Sequence, residues 1–194
     1  MDKKEIIDFF NRLAPGWDAE QIDKKRIING ILDNAEVSEG KAVLDVACGT
    51  GILFPFYLER GVSSVTGIDI SSEMIKIAEF KYGKDSRTSF ICADADSAKF
   101  DKQFDIAMIY NAFPHFDDQP KLIEHLCSLL NKKGTLTVAH GMSIEKLKAR
   151  HTNASEVSRG PISLEDLNNI MSKYGTIIAS VSDDSMFCMT LEKE

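Results

Sequence analysis

The chain has 194 residues, 43% of them hydrophobic, which suits one compact domain with a sizeable core. Its 30 acidic residues outnumber its 23 basic ones, so there is no excess of positive charge to neutralise phosphates, and we expect no nucleic-acid partner. The four cysteines form no C-x-x-C pair, which argues against a disulfide framework or a structural zinc site. Because neither a signal peptide nor an apolar run of membrane-spanning length is visible, we expect a cytoplasmic protein without a membrane partner.

Residues 1–36 predict a helical N-terminal cap. Apolar residues at helical spacing predict one helix over residues 3–13, which Pro15 and Gly16 end, and a second helix from Asp18 to Ala35 whose inward residues include Ile22. From residue 40 onward the pattern becomes an alternation of strands and helices, so the whole chain, 1–194, is predicted to be a single domain with an α/β core over 40–194.

The core pattern predicts seven strands and four helices. Strands are expected near 42–47, 64–69, 88–92, 104–110, 134–140, 176–182 and 186–192, and helices near 51–60, 72–81, 119–130 and 163–173. Residues 131–134 are expected to form a turn between a helix and a strand, and Asp183 and Asp184 to join the last two strands as a hairpin. The fold class is therefore α/β, a mostly parallel sheet with helices on both faces and an antiparallel C-terminal hairpin.

A small-residue loop follows the first predicted strand, at the sheet edge where such folds bind ligands. The apolar run Val43–Val46 contains one carboxylate, Asp45, and leads into Ala47-Cys48-Gly49-Thr50-Gly51. A carboxylate here would repel a pyrophosphate but suits a cationic amine, and the G-x-G-x-x-G pattern of dinucleotide sites is absent. A second acid, Asp69, ends the next strand, where it could hold a ribose diol. A nicotinamide-dependent oxidoreductase is accordingly disfavoured.

Four segments in order resemble the motifs of class I S-adenosylmethionine-dependent methyltransferases. They are Asp45–Gly51, Gly67-Ile68-Asp69-Ile70-Ser71, Ala93-Asp94-Ala95 and the strand Phe104–Tyr110. Residues 9–18 also resemble the entry helix of small-molecule methyltransferases of the ubiquinone-biosynthesis type. The resemblance implies a Rossmann-like seven-stranded sheet, S-adenosyl-L-methionine as cofactor, and methyl transfer to a small-molecule nucleophile through O, N or S. One departure is Ala47, where many members carry glycine.

The resemblance also implies roles for individual residues. Asp45 and the backbone of Ala47, Cys48, Gly49, Thr50 and Gly51 would hold the methionine part of the cofactor. Asp69 would bind the ribose hydroxyls, Ile70 would pack on adenine, and Asp94 with the backbone of Ala95 would meet the edge of the adenine ring. Asn111 would lie beside the reactive methyl group.

Each acid also has a simpler interpretation. Asp69 could be a helix cap and Asp94 a turn residue, and Asp96 could replace Asp94 as the acceptor of the adenine amino group. The order and spacing of the four segments favour the binding roles.

Three of the four histidines fall at or beyond the carboxyl edge of the sheet. Histidine suits proton removal at neutral pH, so His115 or His140 is the expected base or orienting group, with Asn111 beside them. A metal site formed by His115, His140 and His151 is an alternative that would make the enzyme a metal-assisted methyltransferase. The spacings are long and include no short H-x-x-x-H pair, so no metal is predicted. His125 is expected to be a packed or surface residue of its helix.

Substrate contacts are expected from Trp17, Tyr110 and His151. The segment 142–162 is a predicted substrate-side insertion, and the N-terminal helices are the predicted opposite wall of a lid. A second candidate function is a non-catalytic module that binds S-adenosylmethionine or its product S-adenosylhomocysteine. The sequence leaves open the identity of the acceptor and whether the protein is a monomer or a homodimer.

Overall fold

A computed structural model describes residues 3–20, 24–151 and 162–194. The N-terminal cap consists of helix α1 (Lys3–Leu13), a 3-10 helix (Ala14–Glu20) and helix α2 (Lys25–Asn34). The predicted start of the second helix at Asp18 is wrong, since Asp18 lies in the 3-10 helix and its carboxylate accepts a hydrogen bond from Thr50 Oγ1 at 2.7 Å instead of capping a helix. Ile22 lies outside the described residues.

Seven strands form one sheet in the order β3-β2-β1-β4-β5-β7-β6. They are β1 (Ala42–Val46), β2 (Ser64–Asp69), β3 (Thr88–Cys92), β4 (Phe104–Tyr110), β5 (Leu130–His140), β6 (Gly175–Ser182) and β7 (Phe187–Lys193). The first five strands pair in parallel, whereas β7 pairs antiparallel with both β5 and β6. The predicted sheet and its C-terminal hairpin are confirmed.

In the described part of the core, five α-helices follow the strands. They are α3 (Phe54–Glu59), α4 (Ser72–Tyr82), α5 (Gln119–Ser128), α6 (Ile144–His151) and α7 (Leu164–Met171), and a short 3-10 helix covers Phe113–His115. The first of them starts three residues later than predicted because Gly51 is still in the left-handed region, with φ +81°. Helix α6 was not predicted, since its sequence is polar and shows little apolar periodicity.

The turn predicted at residues 131–134 is wrong, because these residues belong to β5. The chain does bend there, since Lys133 has φ +63° and the register with β4 jumps from Phe104↔Leu130 to Ile106↔Thr135. Residues 131–134, which end in Gly134, thus form a bulge inside a longer strand, where the backbone leaves the hydrogen-bond ladder with β4 and then rejoins it.

Two apolar clusters cover the two faces of the sheet. In β1, Leu44 and Val46 belong to the cluster beneath α5 and α7, and Val43 belongs to the cluster beneath α2 and α3. This alternation follows from the two-residue period of a strand. Both faces being covered, ligand access is left at the strand ends. None of the described helices is long and apolar enough to cross a membrane.

Candidate cofactor and substrate crevice

An apolar crevice lies at the carboxyl ends of β1, β2, β3 and β4, and the N-terminal cap forms its outer wall. Most of the residues predicted to bind cofactor or substrate line it: Trp17, Asp45, Ala47, Cys48, Gly49, Asp69, Ile70, Asp94, Ala95, Tyr110, Asn111 and His115. Thr50 and Gly51 belong to the same loop but are not among the lining residues. The loops after four strands therefore meet at one place.

The loop after β1 turns sharply through three residues in the left-handed region. Ala47, Gly49 and Gly51 have φ of +54°, +56° and +81°. Cys48 N donates to Ile68 O at 3.1 Å, and Gly51 N donates to Cys48 O at 3.0 Å, so the loop is fixed against the end of β2. The positive φ of Ala47 gives a physical reason for the frequent glycine at this place in the family, because a Cβ is disfavoured there.

Asp45 is a buried carboxylate whose charge is not compensated. It lies in β1 between Gly67 of β2 and Met108 of β4, is 2% exposed, and its Oδ2 atom has no hydrogen-bond partner. Burial, with a further contribution from Asp69, raises the pKa of Asp45 well above its usual value. A buried acceptor without a partner is costly, and a cationic group entering the crevice would remove that cost.

Asp69 lies beside Asp45 and is held by backbone amides on both sides. Its Oδ2 accepts from Gly49 N at 2.9 Å and its Oδ1 from Ser71 N at 2.8 Å. Burial raises the pKa of Asp69, and these amides oppose the shift. The N-cap of α4 is Ser71, whose Oγ accepts from Met74 N, so Asp69 is not the helix cap. Its two oxygens are thereby presented together, an arrangement that fits a pair of neighbouring hydroxyl groups.

Asp94 and Asp96 form a turn after β3 and share one cation. Asp94 Oδ1 accepts from Asp96 N at 3.0 Å, which agrees with a turn role. Both carboxylates also pair with the ammonium group of Lys3 on α1. Asp96 Oδ1 is buried without a hydrogen-bond partner. Because both acids line the crevice, the choice between them as the adenine contact stays open.

The end of β4 is fixed to the end of β5 through Asn111. Asn111 has φ +57°, and its Oδ1 accepts from Gly141 N at 2.9 Å. The neighbouring Tyr110 places a buried hydroxyl at the crevice, and burial raises its pKa. Asn111 is thus rigidly placed, and its side-chain oxygen is already engaged within the sheet edge.

The histidines have different surroundings in the part of the chain that the structure describes. His115 lines the crevice with its ring edge-to-face against Phe10 at 5.2 Å between centroids. His140 is 2% exposed, stacks on Phe187 at 6.2 Å, and is not among the crevice-lining residues. The side chain of His151 lies outside the described residues. His125 Nε2 bonds to Ala98 O at 2.9 Å, the packed role that was expected.

The alternative of a metal site at His115, His140 and His151 is not tested, because the side chain of His151 lies outside the described residues. Within residues 3–19, 24–148 and 162–194, no group of three or more His, Cys, Asp or Glu side chains could hold a metal ion. The segment 152–161, part of the predicted substrate-side insertion, lies outside the described residues, so the contribution of His151 stays a prediction.

The crevice lining also includes three residues that the sequence does not predict there, Lys3, Phe116 and Asp117. Lys3 stands in a charged run, Lys3-Lys4-Glu5, that is typical of a solvated helix face. Nothing in the sequence pairs it with acids 91 and 93 positions away. For the two others a weak sign existed, because they follow His115 directly in the loop after β4.

The donor set fits S-adenosylmethionine. Its ammonium group matches the unpartnered oxygen of Asp45, its ribose diol matches the paired oxygens of Asp69, and its adenine ring matches an apolar slot next to Ile70 with acids at the rim. A pyrophosphate would face five carboxylates in this crevice and would be repelled.

Comparison with known proteins agrees with this geometry. Residues 43–134 match a family described as a methyltransferase domain. The chain is 30% identical over 139 residues to a malonyl-[acyl-carrier protein] O-methyltransferase of Acetivibrio thermocellus, covering 70% of this chain and 49% of the relative. It is 26% identical over 163 residues to the ubiquinone/menaquinone biosynthesis C-methyltransferase UbiE of Campylobacter jejuni, covering 75% and 68%. The chain thus spans about half the length of the first relative.

Among solved structures, the N-methyltransferase NodS of Bradyrhizobium japonicum in complex with S-adenosylhomocysteine has the same fold. The TM-score is 0.78 at 14% identity, and the superposition covers 100% of this chain and 99% of NodS. The fold is Rossmann-like and is shared with this solved methyltransferase. Together, the matched methyltransferase domain, the relatives and the fold support a class I S-adenosylmethionine-dependent methyltransferase.

Proposed function

We propose that the protein transfers the methyl group of S-adenosylmethionine to an oxygen, nitrogen or sulfur atom of a small-molecule substrate. The observation that carries the proposal is the buried Asp45, whose Oδ2 has no hydrogen-bond partner, next to the amide-held carboxylate of Asp69 in one apolar crevice. Two acids so placed complement a nucleoside that carries an amino-acid tail, and among the described residues Lys3 is the cation that lines the crevice and it pairs with Asp94 and Asp96.

In this proposal, different residues of the crevice contact different parts of the cofactor. Asp45 and the loop from Ala47 to Gly51 hold the methionine end. Asp69 holds the ribose and Ile70 packs against adenine. Asp94 or Asp96 accepts from the adenine amino group, next to the backbone of Ala95. Asn111 keeps the end of β4 in place at the methyl end, because its side chain is tied to Gly141.

Bound S-adenosylmethionine supplies a methyl group already activated by its sulfonium. The chain therefore has to align the acceptor, exclude water and, for a protonated acceptor, remove a proton. His115 is the titratable side chain best placed for the last task, since it lines the crevice beside Phe10. His140 has less support as a base because it is buried against Phe187 outside the crevice lining.

The substrate class follows from the same lining. Phe10, Trp17, Tyr110 and Phe116 line the crevice, so an apolar or aromatic acceptor is favoured over a polymer. The relatives named above are, by name, a malonyl-[acyl-carrier protein] O-methyltransferase and a ubiquinone/menaquinone biosynthesis C-methyltransferase, and we infer a comparably small acceptor group here. The substrate-side role of residues 142–162, including His151, is part of this proposal.

We further propose that residues 1–194 form one domain and that the protein works in the cytoplasm. The cap supports the first statement, because α1 and the 3-10 helix pack against α4 and the crevice. The second is supported by the cysteines Cys48, Cys92, Cys127 and Cys188, all of which are free and suit a reducing compartment.

Calorimetry tests the cofactor. S-adenosylmethionine and S-adenosylhomocysteine should bind at one site per chain, and NAD should not bind. Binding of NAD with no binding of either adenosyl compound would overturn the proposal.

A methyl-release assay over a panel of thiols, amines, phenols and carboxylates then separates an enzyme from a binding module. Turnover of one class identifies the accepting atom. Tight binding of S-adenosylhomocysteine with no turnover over the whole panel would favour the non-catalytic module. With an acceptor in hand, His115→Gln should lower kcat and alter its pH profile while leaving the Kd for S-adenosylhomocysteine unchanged, and an unaltered kcat would exclude His115 as the base.

A further inference from the structure

Helix α1 is attached to the rim of the crevice by polar contacts at both ends. At its start, the Lys3 ammonium pairs with Asp94 and lies 3.3 Å from Asp96 Oδ2. Near its end, Asn11 Oδ1 accepts from Ser71 Oγ at 2.7 Å and from Glu73 N at 3.2 Å. Between these points Ile6 and Phe10 line the crevice, and Ile6 is the buried residue of the helix.

If Asp94, the first of the two alternatives above, is the adenine contact, Lys3 occupies a position that the cofactor would use. Asp94 Oδ1 accepts a hydrogen bond from Asp96 N, so Asp94 Oδ2 is the more available oxygen for an adenine amino group. The Lys3 ammonium group pairs with this Oδ2. Asp96 offers a second place for the same cation. Its Oδ2 is already within reach of Lys3, and its Oδ1 is buried without a partner.

We propose that Lys3 is a two-position latch for helix α1, paired with Asp94 before the cofactor binds and with Asp96 once adenine occupies Asp94. The inference rests on the proposed function, and it makes Lys3 a positioning residue that acts through the two acids. In both states the ion pair holds α1 over the adenine end of the crevice. The cofactor enters and leaves only when the pair opens.

This mechanism predicts a distinct pattern of rate constants for S-adenosylhomocysteine, measured by stopped-flow fluorescence or surface plasmon resonance. Lys3→Met loosens the latch in both states, so the association and dissociation rate constants should both rise, by about threefold, the scale of a partly exposed ion pair. Asp96→Asn leaves the Lys3–Asp94 pair intact before binding but removes the second position. It should raise the dissociation rate constant and leave the association rate constant within about twofold.

Lys4→Met is the matched control, since it removes the same charge from the next residue of the same helix and should leave both rate constants as in the wild type. Thermal unfolding and far-UV circular dichroism establish that each variant is folded. If Lys3 only competed with adenine for Asp94, Lys3→Met would raise the association rate constant and leave the dissociation rate constant unchanged. If Lys3 had no role, Lys3→Met would change neither rate constant. Either result would overturn the latch.

The proposed function fails separately. If the wild-type protein does not bind S-adenosylhomocysteine, the cofactor assignment is wrong and the latch falls with it. If the wild type binds and the variants depart from the pattern above, only the latch is wrong. Raised ionic strength gives an independent check, since screening of the exposed side of the ion pair should increase both wild-type rate constants.

Discussion

At the scale of single residues, the crevice is organised by carboxylates that differ in their partners. Asp45 has an oxygen with no partner, Asp69 has one backbone amide on each oxygen, and Asp94 has a backbone amide and an ammonium group. Because their hydrogen-bond partners differ, the three acids suit different parts of the proposed cofactor. They also mean that the same substitution should have different effects at different positions.

Asp45→Asn should weaken binding of S-adenosylhomocysteine by tenfold or more, equivalent to at least about 1.4 kcal/mol, because a buried carboxylate is lost opposite an ammonium group. The free energy of unfolding without ligand should rise in the same variant at neutral pH, because a carboxyl group that must take up a proton to be buried is replaced by a neutral amide. Calorimetry and urea unfolding measure the two effects. Asp101→Asn is the control, since Asp101 is an exposed acid outside the crevice.

The stability difference between Asp45→Asn and the wild type should depend on pH. Because the folded-state pKa of Asp45 is raised from 3.8, the folded protein holds a proton that the unfolded chain has lost. Wild-type stability therefore falls as pH rises from 3.8 through the raised pKa, and the variant lacks this fall. The advantage of Asp45→Asn should thus grow with pH over that window and then level off. An advantage that stays constant or shrinks would contradict a neutral Asp45 in the unliganded protein.

At the scale of elements, the start of helix α4 connects the N-terminal cap with Asp69, the proposed ribose contact. Ser71 donates its hydroxyl to Asn11 of α1, accepts from Met74 N as the N-cap, and gives its own amide to Asp69. One residue thereby links the cap, a helix and a binding carboxylate. Helix α7 has a comparable serine cap, Ser163, which accepts from Asp166 N at 3.0 Å, and this serine is not among the crevice residues.

Ser71→Ala and Ser163→Ala should each lower the free energy of unfolding by about 1 kcal/mol, because each removes an N-cap. Only Ser71→Ala should also weaken binding of S-adenosylhomocysteine, because only this cap contacts Asn11 and stands next to Asp69. Urea unfolding and calorimetry on the pair of variants give the comparison. If both variants bound S-adenosylhomocysteine with the same affinity, the Ser71 cap of α4 would have no role in cofactor binding.

At the scale of the whole molecule, the cap and the sheet are expected to unfold together. The one tryptophan of the chain, Trp17, lies in the cap, 5.9 Å from the ring of Phe10, and the adjacent Asp18 is bonded to Thr50 of the β1 loop. Tryptophan fluorescence therefore reports on the cap, and far-UV circular dichroism reports mainly on the core. The two urea transitions should coincide if residues 1–194 form one cooperative domain. A cap transition at lower urea would divide the chain into two units.

Local pattern in the sequence was sufficient for the sheet and the family. Apolar runs of five to seven residues predicted the bounds of the strands from β1 to β4 within one residue. The same runs predicted that Asp45, Asp69 and Asp94 lie at or just beyond strand ends. Such features depend on neighbours within a few residues, and a parallel sheet brings its carboxyl ends to one edge by topology alone.

The tertiary structure decided what depends on distant contacts. The extension of β5 back to Leu130 follows from pairing across a bulge with β4, and the late start of α2 leaves Asp18 to bond with Thr50. Lys3 reaches acids more than 90 positions away because α1 folds across strand ends that the chain builds much later. Sequence periodicity carries no information on such pairings, since they arise only when the cap closes over the crevice.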